Sequence, residues 1–208
     1  MVNGIPLIST AYLPPIEYMA LLAKHPVVAI EQHETFPKQT FRNRTQIATG
    51  NGVLTLNVPV SRPDGNHTST NNITVSYHEP WNVRHWRAIL SAYNAAPYFL
   101  YYRDGLEAIL LKRHKFLIEL NSELTKYLMD KLKIECSLEF SSSYVQSEAD
   151  FRDLRVKLTA KQKLTDLRFP SYSQVFGSRY GFVPNLSVID LLFNLGPEAK
   201  GYLMHLSE

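Results

Sequence analysis

Several features that would define a compartment or a partner are scarce in this chain of 208 residues. It has one cysteine, Cys136, so no intrachain disulfide can form and nothing indicates an oxidising compartment. No run of 18 apolar residues is present, and residues 1–6 lack the basic and apolar pattern of a signal peptide. We therefore expect a cytoplasmic protein without membrane insertion.

A large excess of charge of either sign is also lacking. The chain has 22 Lys and Arg against 19 Asp and Glu, which gives a formal net charge of +3. Nucleic-acid-binding proteins usually show a stronger surplus and a long basic face. This balance disfavours a nucleic-acid partner.

The glycine motifs of common cofactor and hydrolase sites are missing. The sequence contains no Gly-x-Gly-x-x-Gly, no Gly-x-x-x-x-Gly-Lys-Ser/Thr and no Gly-x-Ser-x-Gly. The seven histidines are scattered, and no Cys and His pairs have zinc-finger spacing. The sequence therefore leaves the cofactor unknown and predicts no dedicated metal site.

The patterns that are present indicate an α/β protein. Residues 5–9 and 26–30 are apolar strands around a helix at 16–24, which is a βαβ opening. Residues 40–49 and 53–60 flank Gly-Asn-Gly and predict a hairpin. Residues 61–72 are rich in turn formers and predict a flexible loop, and residues 73–77 predict another strand.

Helical spacing replaces strand spacing from Trp81 onward. Asp104 and Glu107 resemble a capping box, from which we expect helix to continue to Leu132 with a break near residues 121–122. We further expect a strand at 138–140, a helix at 147–158, and a helix at 188–195. Together these elements predict one domain, residues 1–208, with a mixed N-terminal sheet and hairpin, a helical middle and a C-terminal helix packed on the sheet.

Two arginines on the predicted hairpin are candidate anion ligands. Period two places Arg42 and Arg44 on one face, with Asn43 between them on the other. Neighbouring guanidiniums of this kind can clamp a phosphate, pyrophosphate or carboxylate, and Asn43 adds a polar donor. The alternative is that both arginines pair with surface acids.

Two histidines are candidate general bases. His85 lies one residue off the apolar face of a helix, close to Trp81, where an imidazole can reach a cleft. Glu31 and His33 follow an apolar strand, at the end of a sheet where ligands bind in α/β folds. The alternatives are a half-buried histidine bonded to backbone and an ordinary polar strand end.

A third set of polar residues lies near the C-terminus. Tyr172 and Gln174 share a face if their segment is extended, and both side chains can recognise hydroxyl-rich ligands such as sugars. Asn185 is a further candidate for orienting hydroxyls. Asp190 is either a ligand-binding acid or, with Ser187 three residues earlier, half of a capping box.

The same segments make the chain resemble the WbqC-like family. The resemblance rests on residues 12–18, 38–44, 56–60 and 93–99, on Tyr172-x-Gln174-x-Phe176, and on residues 182–197. It departs from longer relatives at Thr10-Ala11, at Gln32-His33 and in a short segment between Phe140 and Tyr172. The chain is most similar to a compact variant of the family.

The resemblance implies a part in bacterial surface-polysaccharide synthesis, since the family is named from an O-antigen gene cluster. We expect a transferase acting on an activated or nucleotide-linked sugar. The alternatives are a non-catalytic binding or scaffold protein of that pathway, and a purely structural role for the candidate residues. The sequence also leaves a homo-oligomer open.

Overall fold

The computed structural model describes residues 4–37, 40–146, 150–155 and 167–206. The strands in these ranges are β1 Ile5–Ser9, β2 Val27–Glu31, β3 Arg44–Thr49, β4 Gly52–Asn57, β5 Val60–Ser61, β6 Thr74–Val75, β7 Ser137–Phe140 and β8 Phe151–Asp153. The α-helices are α1 Ile16–Lys24, α2 Trp81–Tyr93, α3 Phe99–Leu111, α4 Leu117–Lys131, α5 Gly177–Tyr180, α6 Val188–Leu195 and α7 Ala199–His205. The predicted α/β class is confirmed.

A parallel sheet with strand order β7-β2-β1-β8 forms the centre of the domain. Every residue of β1 and β2 after the first is buried, as expected for strands covered on both faces. The chain builds outward from β1 through β2 to β7 and then returns to the other side of β1. The strand order therefore reverses between β1 and β8, the position at which open α/β sheets bind ligands beyond the carboxyl ends of their strands.

The predicted hairpin is confirmed as β3 and β4. Thr49 pairs with Gly52 across a two-residue turn, and Gly52 has a φ of 98°, which glycine adopts without strain. The first strand begins at Arg44 and not at residue 40, because residues 40–43 form a turn in which the Asn43 N–H bonds the Thr40 carbonyl. The prediction that Arg42 and Arg44 share one strand face is therefore wrong.

The loop after the hairpin is more ordered locally than its composition indicates. It contains 3-10 turns at Gly65–His67 and Thr70–Asn72, and Thr68 and Thr70 are buried. The predicted strand at 73–77 is confirmed only for Thr74–Val75. The flexibility of this loop stays a prediction.

The helical middle is confirmed, but its breaks are elsewhere. Asp104 lies inside α3, so the capping box predicted there is wrong. The interruption comes at residues 112–116, not near 121–122. The chain is extended there because the Val75 N–H bonds the Lys115 carbonyl and the Leu117 N–H bonds the Ile73 carbonyl. Pairing with β6 thus ends one helix and starts the next.

Part of the predicted helix at 147–158 is a strand. Residues 151–153 form β8, which pairs in parallel with β1 from Ile5↔Phe151 to Leu7↔Asp153. Residues 147–149 and 156–158 lie outside the described ranges. Sheet pairing, which depends on residues far away in the sequence, outweighs the local helical pattern here.

The C-terminal helices pack back onto the N-terminal βαβ unit. Helix α7 contacts α1, and α6 contacts both α1 and α3. Gly196 allows the turn between α6 and α7, because its φ is 53° and a Cβ there would lie 2.5 Å from the Tyr98 ring. The domain is thereby closed around a core that includes Tyr93, Phe99 and Phe193.

Candidate functional site

A group of charged and polar side chains lies beyond the carboxyl ends of the central strands. We call it the edge cluster. Its members come from β1, β2, β8 and the segments that follow β2 and β7, and they are Ser9, Glu31, His33, Glu34, Arg42, Ser141, Asp153 and Arg155. The position matches the one predicted for Glu31 and His33 from the end of their strand.

Glu31 is fully buried and holds three donors. Its Oε1 accepts the backbone N–H of His33 at 2.6 Å and the Ser141 hydroxyl at 2.9 Å. Its Oε2 accepts the Val145 N–H at 2.7 Å. The Arg155 Nη1 lies 3.7 Å from Oε2, beyond hydrogen-bond distance but close enough for charge attraction. Glu31 therefore connects the segment that follows β2 with the segment that follows β7.

Arg42 is held by partners within the protein. Its Nε and Nη2 donate to Glu34 Oε1 at 2.9 and 2.6 Å, and Nη2 also donates to Ser9 Oγ at 2.5 Å. The residue is 3% exposed, and its carbonyl accepts the Asn121 amide. These contacts form an internal ion pair that connects the turn at residues 40–43 to β1. A role for Arg42 as an anion clamp stays a prediction.

Two of the three nitrogens of the Arg155 guanidinium bond the Asp153 carboxylate, and the third, Nη1, has no acceptor within hydrogen-bond distance among the described residues. Its Nε and Nη2 bond Asp153 Oδ1 and Oδ2 at 3.0 and 2.6 Å, and these bonds hold the pKa of Asp153 below its usual value. The guanidinium carbon lies 5.3 Å from the centre of the Tyr144 ring, whose residue is exposed. Among the described residues, Nη1 has only the distant Glu31 oxygen near it. It is the cation of the edge cluster best placed to meet an anion.

His33 is half-buried and has a fixed ring orientation. Its Nε2 lies 3.0 Å from the Ser141 carbonyl, which can only accept a hydrogen bond. Nε2 therefore carries the hydrogen, and Nδ1 keeps its lone pair. Glu31 holds the backbone of the same residue. This arrangement supplies a proton acceptor at the edge of the sheet.

His85 lies in a different, more buried group, which we call the His85 cluster: Tyr12, Trp81 and His85. The residue is 6% exposed, and the Tyr12 hydroxyl donates to its Nδ1 at 2.8 Å. Burial lowers the pKa of His85 from 6.5 to about 4, although a hydrogen bond with the Asn57 backbone opposes this shift. The imidazole is therefore neutral at physiological pH, and the geometry favours a structural role.

The base of the hairpin contains the two other predicted ligands. Asn43 is buried and donates to the Val58 carbonyl at 3.0 Å and to Asn57 Oδ1 at 3.2 Å. Arg44 is half-buried, and its Nε donates to the same Asn57 oxygen at 3.1 Å. Their ligand roles stay predictions.

Tyr172, Gln174 and Asp190 do come together, and we call them the Asp190 cluster. The fully buried Asp190 accepts the Tyr172 hydroxyl at 2.5 Å and the Gln174 amide at 2.9 Å, both at Oδ2. Burial raises the pKa of Asp190, and these hydrogen bonds oppose the rise. The Tyr93 hydroxyl is also close but lacks normal hydrogen-bond geometry.

The capping box predicted for Asp190 is wrong. Ser187 does occupy the N-cap position of α6, but its hydroxyl donates to the Leu13 carbonyl at 3.0 Å. Its backbone N–H goes to the Gln46 carbonyl. Asp190 is consequently free to face Tyr172 and Gln174 instead of the start of its own helix.

Asn185 acts as a helix cap for a distant element. Its Oδ1 accepts the Glu17 N–H at 3.0 Å, and the neighbouring Leu186 carbonyl accepts the Ile16 N–H. These are free N–H groups in the first turn of α1, where Pro15 offers no side-chain cap. A part in orienting substrate hydroxyls stays a prediction for this residue.

The end of β1 and the loop between β1 and α1 connect several of these groups. Ser9, the last residue of β1, accepts from Arg42, and in the loop Tyr12 donates to His85 and the Leu13 carbonyl accepts from both Ser187 and Thr45. Leu13 has a φ of 41°, an uncommon left-handed conformation for a branched residue. The predicted residues are thus divided among three clusters, the base of the hairpin and Asn185, and they do not form one joint site.

The comparison with known families agrees with the resemblance seen in the sequence. The family model described as the WbqC-like protein family matches residues 10–170 and 146–202, which together cover most of the chain. The chain belongs to the WbqC-like protein family. The β1–α1 loop and the members of the three clusters other than Ser9 lie within the matched residues.

One curated relative of this WbqC-like protein is described as an uncharacterised protein. It is the protein Rv1507c of Mycobacterium tuberculosis, 28% identical over 227 residues, which cover 96% of each chain. No solved structure matches the chain significantly. These comparisons establish the family and leave the reaction open.

Two features are absent from the part of the WbqC-like chain that the structure describes. No helix there is long and apolar enough to cross a membrane. Within the same ranges, no three or more His, Cys, Asp and Glu side chains are grouped so that they could hold a metal ion.

Sequence reasoning missed several members of the edge cluster. Ser9, Ser141 and Asp153 lie at or just beyond the ends of β1, β7 and β8, and Arg155 follows two residues after Asp153. The signal that could have found Arg155 is the Asp153-x-Arg155 spacing, which lets an acid orient a guanidinium two residues later. It was hidden because that segment was predicted to be a helix.

Proposed function

We propose that this WbqC-like protein is a cytoplasmic enzyme of the transferase class, which acts on an activated sugar in bacterial surface-polysaccharide synthesis. In this proposal the edge cluster is the active site. The observation that carries it is that Glu31 connects His33 to Arg155, next to the point where the order of the parallel strands reverses: Glu31 accepts the His33 N–H, and Arg155 Nη1 lies 3.7 Å from its other oxygen.

The proposed reaction needs a base on one side and an anion ligand on the other. A hydroxyl oxygen of the acceptor attacks the anomeric carbon of the sugar, and its proton goes to Nδ1 of His33. The bond from that carbon to the phosphate oxygen breaks, and its electron pair leaves with the phosphate. Nη1 of Arg155 donates to the leaving oxygens, where negative charge increases.

Other residues hold these two groups in place. Glu31 binds the His33 backbone and lies beside Arg155, so it is a positioning residue for both. Asp153 orients the Arg155 guanidinium through two parallel hydrogen bonds. The exposed Tyr144 ring, already packed on Arg155, offers a flat apolar surface for the substrate.

A non-catalytic binding or scaffold protein of the same pathway is the second candidate. It is favoured by the extent to which the charged groups already pair with one another, above all Arg42 with Glu34. In that case the edge cluster would recognise a ligand without transferring a group. Binding without turnover distinguishes this function from the first.

A screen of the purified protein against nucleotide-sugars, with mono- and disaccharide acceptors, tests the proposal. Sugar transfer and thermal stabilisation are measured together, since a ligand at 100 times its dissociation constant stabilises the fold by about 2.7 kcal/mol. Arg155→Lys keeps the charge but loses the forked donors, so we expect at least tenfold weaker nucleotide-sugar binding.

Arg152→Lys is the matched control, because it makes the same change three residues earlier on β8. It should leave the affinity for the nucleotide-sugar within twofold of the wild type. Stabilisation by a nucleotide-sugar without any transfer would support the binding protein. An unchanged affinity in Arg155→Lys would refute the edge cluster as the site.

A further inference from the structure

A small cavity lies away from the edge cluster, under the tip of the β3–β4 hairpin. Its volume is about 160 Å³. Ala48, Thr49 and Val53 line it on the hairpin side, and Phe176, Tyr180 and Val183 line it on the other. Ala48 and Val53 are paired residues of the two strands, so their side chains point to the same face.

The walls of this cavity are fixed by hydrogen bonds. The carbonyl of Gly50, in the hairpin turn, accepts from Arg179 Nη1 at 2.7 Å and from the Tyr180 hydroxyl at 2.6 Å. Two donors on α5 thus clamp the turn over the segment that forms the opposite wall. The space is therefore preformed, as small-molecule sites usually are.

The cavity also has empty space beside two of its glycines. A Cβ built on Gly52 or on Gly181 would meet no atom within 4 Å. Their φ values of 98° and 74° disfavour any larger residue at either position. Neighbouring apolar side chains are exposed at the rim: Val53 is 49% and Tyr180 43% accessible. A ligand can reach the cavity from solvent.

Gln174, whose amide lies in the wall of the cavity, offers few hydrogen-bonding groups to a polar ligand. Gln174 uses its Nε2 on the Val183 carbonyl and on Asp190 Oδ2, at 3.0 and 2.9 Å, and its Oε1 accepts the Val183 N–H at 2.8 Å. Both hydrogens of the amide are occupied. The rest of the lining is mainly apolar, so burial of an apolar group is the interaction that the cavity favours.

We propose that this cavity is a binding subsite for a compact apolar group of a small molecule, such as a single aromatic ring or a short acyl chain. A protein cavity of about 150 Å³ lined by apolar side chains is known to hold benzene, so the size fits one ring and excludes fused rings. The inference does not depend on the proposed sugar transfer, because the edge cluster contributes no residue to this lining.

Benzene binding to the full chain tests this subsite, with glucose as the polar comparison. We expect benzene to raise the melting temperature by one to a few degrees and to shift the amide resonances of Ala48 and Gln174 in nuclear magnetic resonance spectra. Glucose should do neither at the same concentration. No benzene-dependent shift, or shifts confined to residues outside the lining, would overturn the proposal.

Val53→Phe fills the cavity from the rim and should weaken benzene binding at least tenfold. Leu54→Phe is the matched control, since Leu54 is the next residue of β4, is 39% exposed and points to the other face. It should bind benzene as the wild type does. If Val53→Phe does not fold, Val183→Phe fills the same space from the opposite wall. Equal binding by the filled and control variants would contradict the proposal.

Discussion

The edge cluster and the two interior clusters are built from the same residue types in opposite surroundings. Glu31 and Asp190 are both fully buried carboxylates. Glu31 is held by two backbone N–H groups and a hydroxyl, with Arg155 close by. Asp190 accepts hydrogen bonds from the neutral donors Tyr172 and Gln174, with the Tyr93 hydroxyl close by. Burial alone therefore does not distinguish an acid of a binding site from an acid of the core.

The two histidines differ in the same way. His33 is half-buried and bonds the Ser141 carbonyl through Nε2, whereas Nδ1 of His85 is bonded to Tyr12 in an aromatic environment. A proton acceptor must be reachable by its substrate as well as basic. Under the proposed function the edge cluster is therefore the group that takes part in chemistry, and the interior clusters hold the β1–α1 loop and the C-terminal helices in place.

The largest effect is expected from Glu31→Ala. This change leaves the N–H groups of His33 and Val145 and the Ser141 hydroxyl without their acceptor in a buried site. Loss of such a network costs about 3–5 kcal/mol of the free energy of unfolding. Urea denaturation at pH 7 measures it.

Glu139→Ala is the control for that change. Glu139 lies on the adjacent strand β7 but is exposed, so its removal should cost less than about 0.5 kcal/mol. Similar losses in the two variants would mean that Glu31 does not organise the edge of the sheet.

A pH effect of intermediate size is expected from His85. The unfolded chain binds a proton at this residue near pH 6.5, whereas the folded protein does so only at about pH 4. Because the unfolded state holds more protons between these values, the stability falls as the pH falls through this window. The loss approaches about 3 kcal/mol.

Denaturation of His85→Gln between pH 7.5 and 4 isolates this contribution. The wild type should lose more stability than the variant over this range, while His67→Gln, a change at an exposed histidine of the loop after β5, should follow the wild type. A parallel pH dependence of wild type and His85→Gln would show that His85 is not buried as a neutral group.

The smallest effect is expected from Asp190→Asn. The carboxyl ionises near pH 3.8 in the unfolded chain but only at a higher pH in the fold, because burial raises its pKa. The wild type therefore loses stability relative to the variant as the pH rises above 3.8, and the difference becomes constant above the folded pKa. At pH 7 we expect the asparagine variant to be as stable as the wild type or up to about 1 kcal/mol more stable.

Asp190→Leu provides the contrast, because it leaves Tyr172 and Gln174 without an acceptor. We expect it to be less stable than the wild type by about 2 kcal/mol. Thermal melts from pH 3.5 to 8 give both comparisons. An asparagine variant clearly less stable than the wild type at pH 7 would show that the charged form is favoured in this cluster.

Local patterns predicted most of the fold. Apolar runs located β1, β2 and β7, and Asn-Gly located the hairpin, because each depends on residues within a few positions of one another. The wrong secondary-structure predictions concern segments whose conformation depends on pairing with residues far away in the sequence. Residues 151–153 are a strand because β1 is next to them, and the helix break falls at residues 112–116 because β6 pairs there.

The sequence indicates which polar residues are candidates, but it does not indicate which of them lie close together in the fold. The polar end of β2 correctly located Glu31 and His33 beside other polar groups. The partners of Arg42, Asn185 and Asp190 lie 8, 168 and 16–18 residues away along the chain. No spacing rule gives such contacts, which is why the predicted capping box and the predicted shared strand face of Arg42 and Arg44 differ from the structure.

The most direct test of the account is the initial rate of sugar transfer by the wild type, His33→Gln, His85→Gln and His67→Gln. The rates are measured at pH 7.5 with the nucleotide-sugar that gives the highest rate in the screen. We predict that His33→Gln reduces kcat at least 100-fold while nucleotide-sugar binding persists, and that the other two variants stay within about threefold of the wild type. A large loss in His85→Gln with a normal rate in His33→Gln, or no transfer by the wild type with any nucleotide-sugar, would contradict it.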